Sequence, residues 1–570
     1  MKRRSWFQRI ALALERPVLR WLQRPWVGRL IEAVPFFHAW VNKMLIKRFV
    51  GRARYRPHPF STRSSYTSWA SLTDRSWTGR HLAESDIDPD ALPDWDNDPR
   101  FREIFYRPNG VQRLCPKSTV LFAAFAQYLT DGFLRTMPEK DPDPPHCVDA
   151  QRRKLNTSNH EIDLCTLYGR NEAQTRALRV THPTKDTRGR LKSRMDANGE
   201  EFPEFLFQNG EIKQEFICLD RPLNLDLIED AIKGSNPVAA ASAADKRDHL
   251  FAVGGDRVNS VPQVALMNTL WLREHNRLAR ELIKKNDDWD DDRVFETARN
   301  IVIVQFIKVV IEDYINHIAP FAVRLIADPR VAWHAPWNKP NWITVEFGLL
   351  YRWHFLIPDR IRWGHSDLVV GPRYFMNNQP LLKNGLQKSF ESLSAQPSGE
   401  LGPRNTNDNL LTIERDSIRQ GRICNLASYN KYREYIGREP VESFDEISSD
   451  PAVVDALKGV YGEENHENVD FFVGIFAEDR LPNSPLSRTI LTFVALDAFS
   501  QALTNPLLSE HVFAAPLDRN KQHPTFTNYG MEQINTCKSL REIVRRNIAK
   551  PESLGFVGMT RQCWRPEKPS

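Results

Sequence analysis

The chain has 570 residues, 41% hydrophobic and 26% charged, the balance of a globular protein and not of a disordered one. Its formal charge of +6 conceals an asymmetry: residues 1–56 hold 14 Lys and Arg against Glu15 and Glu32, a local charge of +12, and the remainder carries −6. Seven scattered cysteines with no CxxC pair exclude zinc ribbons, dithiol redox motifs and CxxCH haem attachment, and no uncharged apolar run reaches the ~18–20 residues that span a bilayer. An odd, dispersed cysteine set points to a reducing, cytoplasmic compartment, and no secretory leader is expected.

Residues 1–50 read as amphipathic helices broken by Pro17, Pro25 and Pro35. Phe7, Ile10, Leu14, Val18, Trp21 and Leu22 fall on one side of a helical wheel, with Arg9, Arg16, Arg20 and Arg24 on the other. That pattern suits a helix lying in an anionic membrane interface; a helix packed on the body with solvated arginines is the plainer reading. Nucleic acid is not expected, because no recognition fold accompanies the basic patch. Residues 51–118 read as irregular and 119–136 as a helix. Asp196-Ala-Asn-Gly199 and Gln208-Asn-Gly210 signal hairpin turns, and the small-residue stretch 236–246 reads as a loop. Two long helices follow over 262–286 and 292–318, a loop over 389–410, and further helices around 427–437, 450–461, 484–504 and 537–548. The expected fold is mostly α, with a basic membrane-associating segment over 1–56 and a catalytic domain over 57–570.

The first chemically suggestive cluster is Tyr351-Arg352-Trp353-His354. A tyrosine three residues from a histidine can share one side of a helix, and a neutral imidazole is a good axial ligand for haem iron. On spacing alone, a histidine beside an apolar run is more often structural.

The stretch TVEFGLLYRWHFLIPD (344–359) closely resembles the proximal helix of the animal-type haem peroxidase superfamily, and within it the fatty-acid oxygenases: prostaglandin endoperoxide synthases, alpha-dioxygenases and linoleate dioxygenases. Other segments agree in order: 65–82, FAQYLTDGF (125–133), 162–179, FAVGGDRVNSVPQVALMNTLWLREHNRLARELI (251–283), VVIEDYINHIAPF (309–321), SYNKYREYIG (428–437) and NTCKSLREIVRRN (535–547). The likeness runs over roughly 60–550. It implies His354 as proximal ligand of haem iron, Tyr351 as radical-bearing hydrogen abstractor, Tyr314 as its hydrogen-bonding neighbour, and Asn430 as the acceptor orienting the histidine. His275, in the same likeness, is structural.

On the distal side, Gln127 matches the family's glutamine, but Asp131 stands where a histidine would handle peroxide protons. A carboxylate can still do acid–base work, or Asp131 can serve as a cap or ion-pair partner. Arg257 occupies the distal arginine position. Ser260, Val261 and Thr130 replace the residues that attach haem covalently in mammalian peroxidases, which implies non-covalent haem b. Asp163 resembles a calcium-loop aspartate, yet Gly132 replaces another ligand, so calcium stays open. Phe321 stands in the substrate region where the synthases have a carboxylate-binding tyrosine. Arg546 matches the carboxylate-binding arginine of the alpha-dioxygenases, although an arginine at a helix C-terminus also suits the helix dipole. The resemblance implies a haem-dependent fatty-acid dioxygenase using O2 at a membrane surface. The alternatives are a haem peroxidase oxidising small donors with Asp131, or a non-catalytic haem-binding membrane protein. Oligomeric state is not legible.

Overall fold

The computed structural model describes residues 21–22, 24–51, 60–87, 92–94, 100–137, 149–514 and 525–561. The helical wheel drawn over Phe7–Val18, with Arg9, Arg16 and Arg20, lies outside them. Helices dominate, joined by five small two-stranded sheets among the described residues.

Two helices open the described chain. Pro25 and Pro35, expected to interrupt helices, instead begin them: α1 spans Pro25–Glu32 and α2 spans Pro35–Gly51, each with proline in the first turn, where its missing N–H costs nothing. Next comes α3, Val120–Phe133, in which every residue except Gln127 is buried. The expected hairpins are present. Ser193–Met195 pairs with Glu201–Pro203, and Phe207–Gln208 pairs with Glu211–Ile212 around Asn209 and Gly210, both at positive φ as a tight two-residue turn demands.

The small-residue stretch read as a loop is a helix, α4, Pro237–Asp248. Asn236 accepts from the amides of Val238 and Ala239, Pro237 occupies the first turn, and a run of alanines with Lys246 and Arg247 at the end supplies the propensity. The central helix is α5, Pro262–Lys285, packed against α3 and against α6, Asp291–Val309. The chain after α6 does not continue as one α-helix: Val310–Ile315 winds as a π-helix before Asn316–Ile318 resumes the α form. Further on lie α7, Val345–Leu350, α8, Leu411–Ile423, α9, Arg488–Leu503, and α10, Leu540–Arg546. The loop expected over 389–410 begins only after the helix Gln379–Ser394, and its Pro397–Gly399 pairs with Leu114–Thr119.

The first two helices are docked on the body by a strip just beyond the π segment. The Arg324 amide donates to Glu32 at 2.8 Å, the His38 ring bonds the Arg324 carbonyl at 2.6 Å, and Asn42 bonds both the amide and the carbonyl of Ile326 at 3.0 Å. Gly28 is required there, since a Cβ would lie 2.5 Å from the Ala322 carbonyl oxygen. Val41, Leu45, Ile46 and Val50 face inward, with α2 against α9. The outward face is also apolar: Trp26, Leu30, Val34, Phe36, Phe37, Trp40 and Met44 are exposed, Phe36 at 85%.

Candidate active site

Thr344 caps α7 by accepting from the Phe347 amide, and the helix ends at Leu350. Tyr351 and His354 therefore do not share one helix, as their spacing first suggests. Tyr351 is the C-cap residue, and His354 starts a separate 3-10 turn, His354–Leu356. The Tyr351 ring lies on Trp353, nearly parallel at 4.9 Å, and edge-on to Phe347, also at 4.9 Å. Its hydroxyl and that of Tyr314, on the π-helix, are both buried, and neither makes a close hydrogen bond to any other described residue. The two phenols face each other, with Tyr314 as the side-chain donor toward Tyr351. Burial is the main force pushing the ionisation of each upward, so both stay neutral at any physiological pH.

His354 exposes about 20% of its side chain, yet its Nδ1 is sealed from solvent and unpartnered. The open part of the ring is on the Nε2 side. The atom facing Nδ1 is Glu414 Oε1 of α8, 3.5 Å away. The expected Asn430 partnership is not formed: the Asn430 oxygen accepts from the Val441 amide at 2.8 Å and its NH2 donates to the Val441 carbonyl at 3.0 Å, so the side chain is spent bracing its own loop.

On the opposite side, Asp131 and Arg257 come together, with Arg257 Nη1 3.9 Å from Asp131 Oδ1 and donating to the Leu134 carbonyl at 3.0 Å. Asp131 Oδ2 is buried without a partner. Burial pushes the Asp131 carboxyl up to about 6, against the pull of Arg257. Gln127, the accessible residue of α3, points its amide toward Ser260 Oγ at 3.5 Å. Thr130 is tied to the backbone carbonyls of Ala126 and Gln127.

Between these two sides lies Arg352, which sequence reasoning passed over. Its side chain makes no hydrogen bond or ion pair with the described residues, although Arg257, Glu414, Asp416 and Asp131 all act on it, and burial lowers its ionisation to about 10. It lines a small cavity with Leu134, Thr136, Leu349 and Gln420. A half-buried guanidinium with carboxylates near it but none in contact can take an anionic carboxylate, and with the open His354 ring it makes the donor set suit a haem with its propionates. Glu414 was missed because nothing in its sequence neighbourhood sets it apart.

The remaining expected residues lie elsewhere. Phe321 packs on Phe49 of α2 at 5.3 Å, and Phe49 in turn stacks near Phe499 at 6.5 Å. Arg546 is already committed. It faces buried Glu274 at 3.6 Å and donates to Thr536 at 2.7 Å, inside a network with Arg277 and Asn547, so an internal carboxylate occupies the charge expected to hold substrate. His275 is structural as expected, with one ring nitrogen on Tyr168 and the other on the Gly189 carbonyl; burial drives it down to about 3 and hence neutral. Asp163 accepts from Asn159 and the Cys165 amide, a local turn. Among the described residues no cluster of three or more His, Cys, Asp or Glu could hold a metal ion.

This helical fold around an open histidine defines a class. The family model for animal haem peroxidases matches residues 116–555, and the chain belongs to that family of haem-dependent oxidoreductases. It is 27% identical to prostaglandin G/H synthase 2 of Equus caballus, over 92% of this chain and 79% of that protein. It is equally similar, at 27%, to prostaglandin G/H synthase 1 of Rattus norvegicus, with the same shares covered. Among solved structures, Oryza sativa fatty acid alpha-dioxygenase with palmitic acid superposes at a TM-score of 0.63 and 16% identity, over 96% of this chain and 95% of that one. Peroxidase A from Dictyostelium discoideum gives 0.60 at 18% identity, over 86% and 94%. These two likenesses establish the fold.

Proposed function

We propose that the protein is a fatty-acid dioxygenase that converts an acyl chain and O2 into a lipid hydroperoxide. The observation that carries this reading is the buried pair Tyr351 and Tyr314, whose hydroxyls face each other, with Tyr351 three residues from the open His354 ring and Tyr314 on the π-helix. Bound haem would supply the one-electron oxidation that removes hydrogen from Tyr351.

His354 would hold the iron, and Arg352 with Arg257 would hold the propionate side. Thr130, Ser260 and Val261 offer no carboxylate or thioether for a covalent link, so the haem is held as the b type. Asp131, paired with Arg257, would move the peroxide proton that initiates the site, with Gln127 beside it. The Tyr351 radical takes a hydrogen atom from an aliphatic carbon. O2 adds to the resulting carbon radical, and the peroxyl radical recovers a hydrogen from Tyr351. The net change is one C–H and one O2 to one C–OOH, with the tyrosyl radical regenerated. Trp353 and Phe347 confine the Tyr351 ring, and Tyr314 lies where it can donate to it.

Residues 1–56 would form the membrane-associating part and 57–570 the catalytic part. A helix apolar both inward and outward, flanked by exposed Arg24, Arg29, Lys43 and Lys47, suits the interface of an anionic leaflet. Phe321, against Phe49, stands where that helix meets the body and is a natural lining residue for an acyl chain entering from lipid.

The test is to reconstitute the chain with haem and follow oxygen uptake and products over a panel of fatty acids. Uptake driven by fatty acid alone supports the proposal. Oxidation of small phenolic donors without fatty-acid-driven uptake would instead favour a peroxidase working through the Asp131–Arg257 pair.

A further inference from the structure

We propose that Glu414 is a positioning residue for the iron-binding histidine, a buried carboxylate that accepts a hydrogen bond from His354 Nδ1–H and raises the donor strength of the ring. The assignment rests on the haem reading above.

Glu414 is fully buried. Its Oε1 accepts from the Thr406 hydroxyl at 3.1 Å and lies 3.5 Å from His354 Nδ1, while Oε2 has no hydrogen-bond partner. Nδ1 is likewise sealed and unpartnered. A buried carboxylate with an unsatisfied oxygen is costly, and so is a buried ring nitrogen with nothing to bond. Arg352 interacts with Glu414 through space, and no hydrogen bond joins the two side chains among the described residues. Once Nε2 is given to a metal, the ring's proton resides on Nδ1, so a donor must point to where Glu414 already stands. A small rotation of the ring closes the gap to Oε1 and satisfies the buried Nδ1–H.

A carboxylate draws on that proton more strongly than the amide oxygen expected from Asn430 could. The imidazole then gives more electron density to the iron and favours its oxidised state. Thr406 fixes the oxygen that receives the bond.

The experiment compares the haem-loaded full chain with E414Q, E414D and H354A. Two quantities are read: the iron–histidine stretching band of the ferrous form by resonance Raman, and the iron midpoint potential. E414Q is expected to lower the band frequency, raise the potential and weaken haem binding by about 10–100-fold. E414D, which keeps the charge but withdraws it by one methylene, is expected to fall between wild type and E414Q, and it decides the matter by the same two readouts if E414Q does not fold. Band and potential unchanged in the folded variants overturn the assignment. The haem reading is judged separately: H354A retaining the wild-type haem spectrum would overturn that reading and this proposal with it.

Discussion

Burial acts differently on Tyr351 and Asp131, the two residues to which the proposed mechanism gives hydrogen-atom and proton transfer. Burial keeps the Tyr351 phenol neutral, so in the proposed mechanism hydrogen leaves it as proton and electron together. Tyr351→Phe is expected to abolish fatty-acid-driven oxygen uptake while leaving the haem spectrum and the Tm unchanged; full uptake in that variant would reject the radical mechanism. Asp131 is poised differently. Its carboxyl is pushed from 3.8 up to about 6, so the folded chain holds a proton that the unfolded chain has already lost across that window. Stability therefore falls as pH rises through it, the reverse of a salt-bridged carboxylate, and the deficit at pH 7 is on the order of 1–3 kcal/mol. Asp131→Asn should raise the Tm of the haem-free protein at pH 7.5 and change it little near pH 4; equal shifts at both values would show that the carboxyl is not perturbed. At this scale sequence was an uneven guide. Tyr351, His354, Asp131 and Arg257 could be put forward because motif order placed them. Glu414 and Arg352 could not, since what marks them out is what they face across the fold. Asn430 and Arg546 meet Val441 and Glu274 instead of the expected groups, because a matching neighbourhood says nothing about which partner a side chain finds first.

Among the elements, those with one strong local signal were readable. Hydrophobic period gave α3, α5 and α6, and Asn-Gly gave the second hairpin. Competition between signals hid the rest. An alanine run reads as featureless until Asn236 is recognised as its cap, and a π-helix keeps the same apolar residues as an α-helix while turning Tyr314 to a different bearing. Gly28 likewise looks ordinary in sequence, yet it permits backbone contact between α1 and Ala322. Gly28→Ala is expected to cost about 1–3 kcal/mol by forcing that contact apart. Limited proteolysis reads the effect directly: cleavage ahead of residue 60 should accelerate while the body remains resistant, and an unchanged cutting rate would mean that α1 adjusts without undocking.

For the molecule as a whole, the described part of the basic segment presents an exposed apolar face, with Arg24, Arg29, Lys43 and Lys47 exposed beside it. Its aromatic side chains are those an interface favours, and among the described residues no helix is long and apolar enough to cross a membrane. The double substitution Phe36→Ser, Trp40→Ser removes two large exposed rings, each worth roughly 1.5–3 kcal/mol when buried. It should lower binding to anionic vesicles by at least about tenfold, read by co-sedimentation, with the haem spectrum intact. Raising the salt concentration should weaken wild-type binding without abolishing it, because screening acts on the arginines and not on the rings. Binding insensitive to both changes would assign the face to something other than lipid.

The strip Ala322–Ile326 that anchors α1 and α2 follows the π-helix bearing Tyr314 by only a few residues. If acyl chains pass from the leaflet along this short route, the reactant is never dispersed in bulk water, and its concentration is counted per unit area. The rate should then track the mole fraction of fatty acid in the bilayer. Adding inert phospholipid at constant total fatty acid should slow turnover by diluting the surface, although nothing in solution has changed.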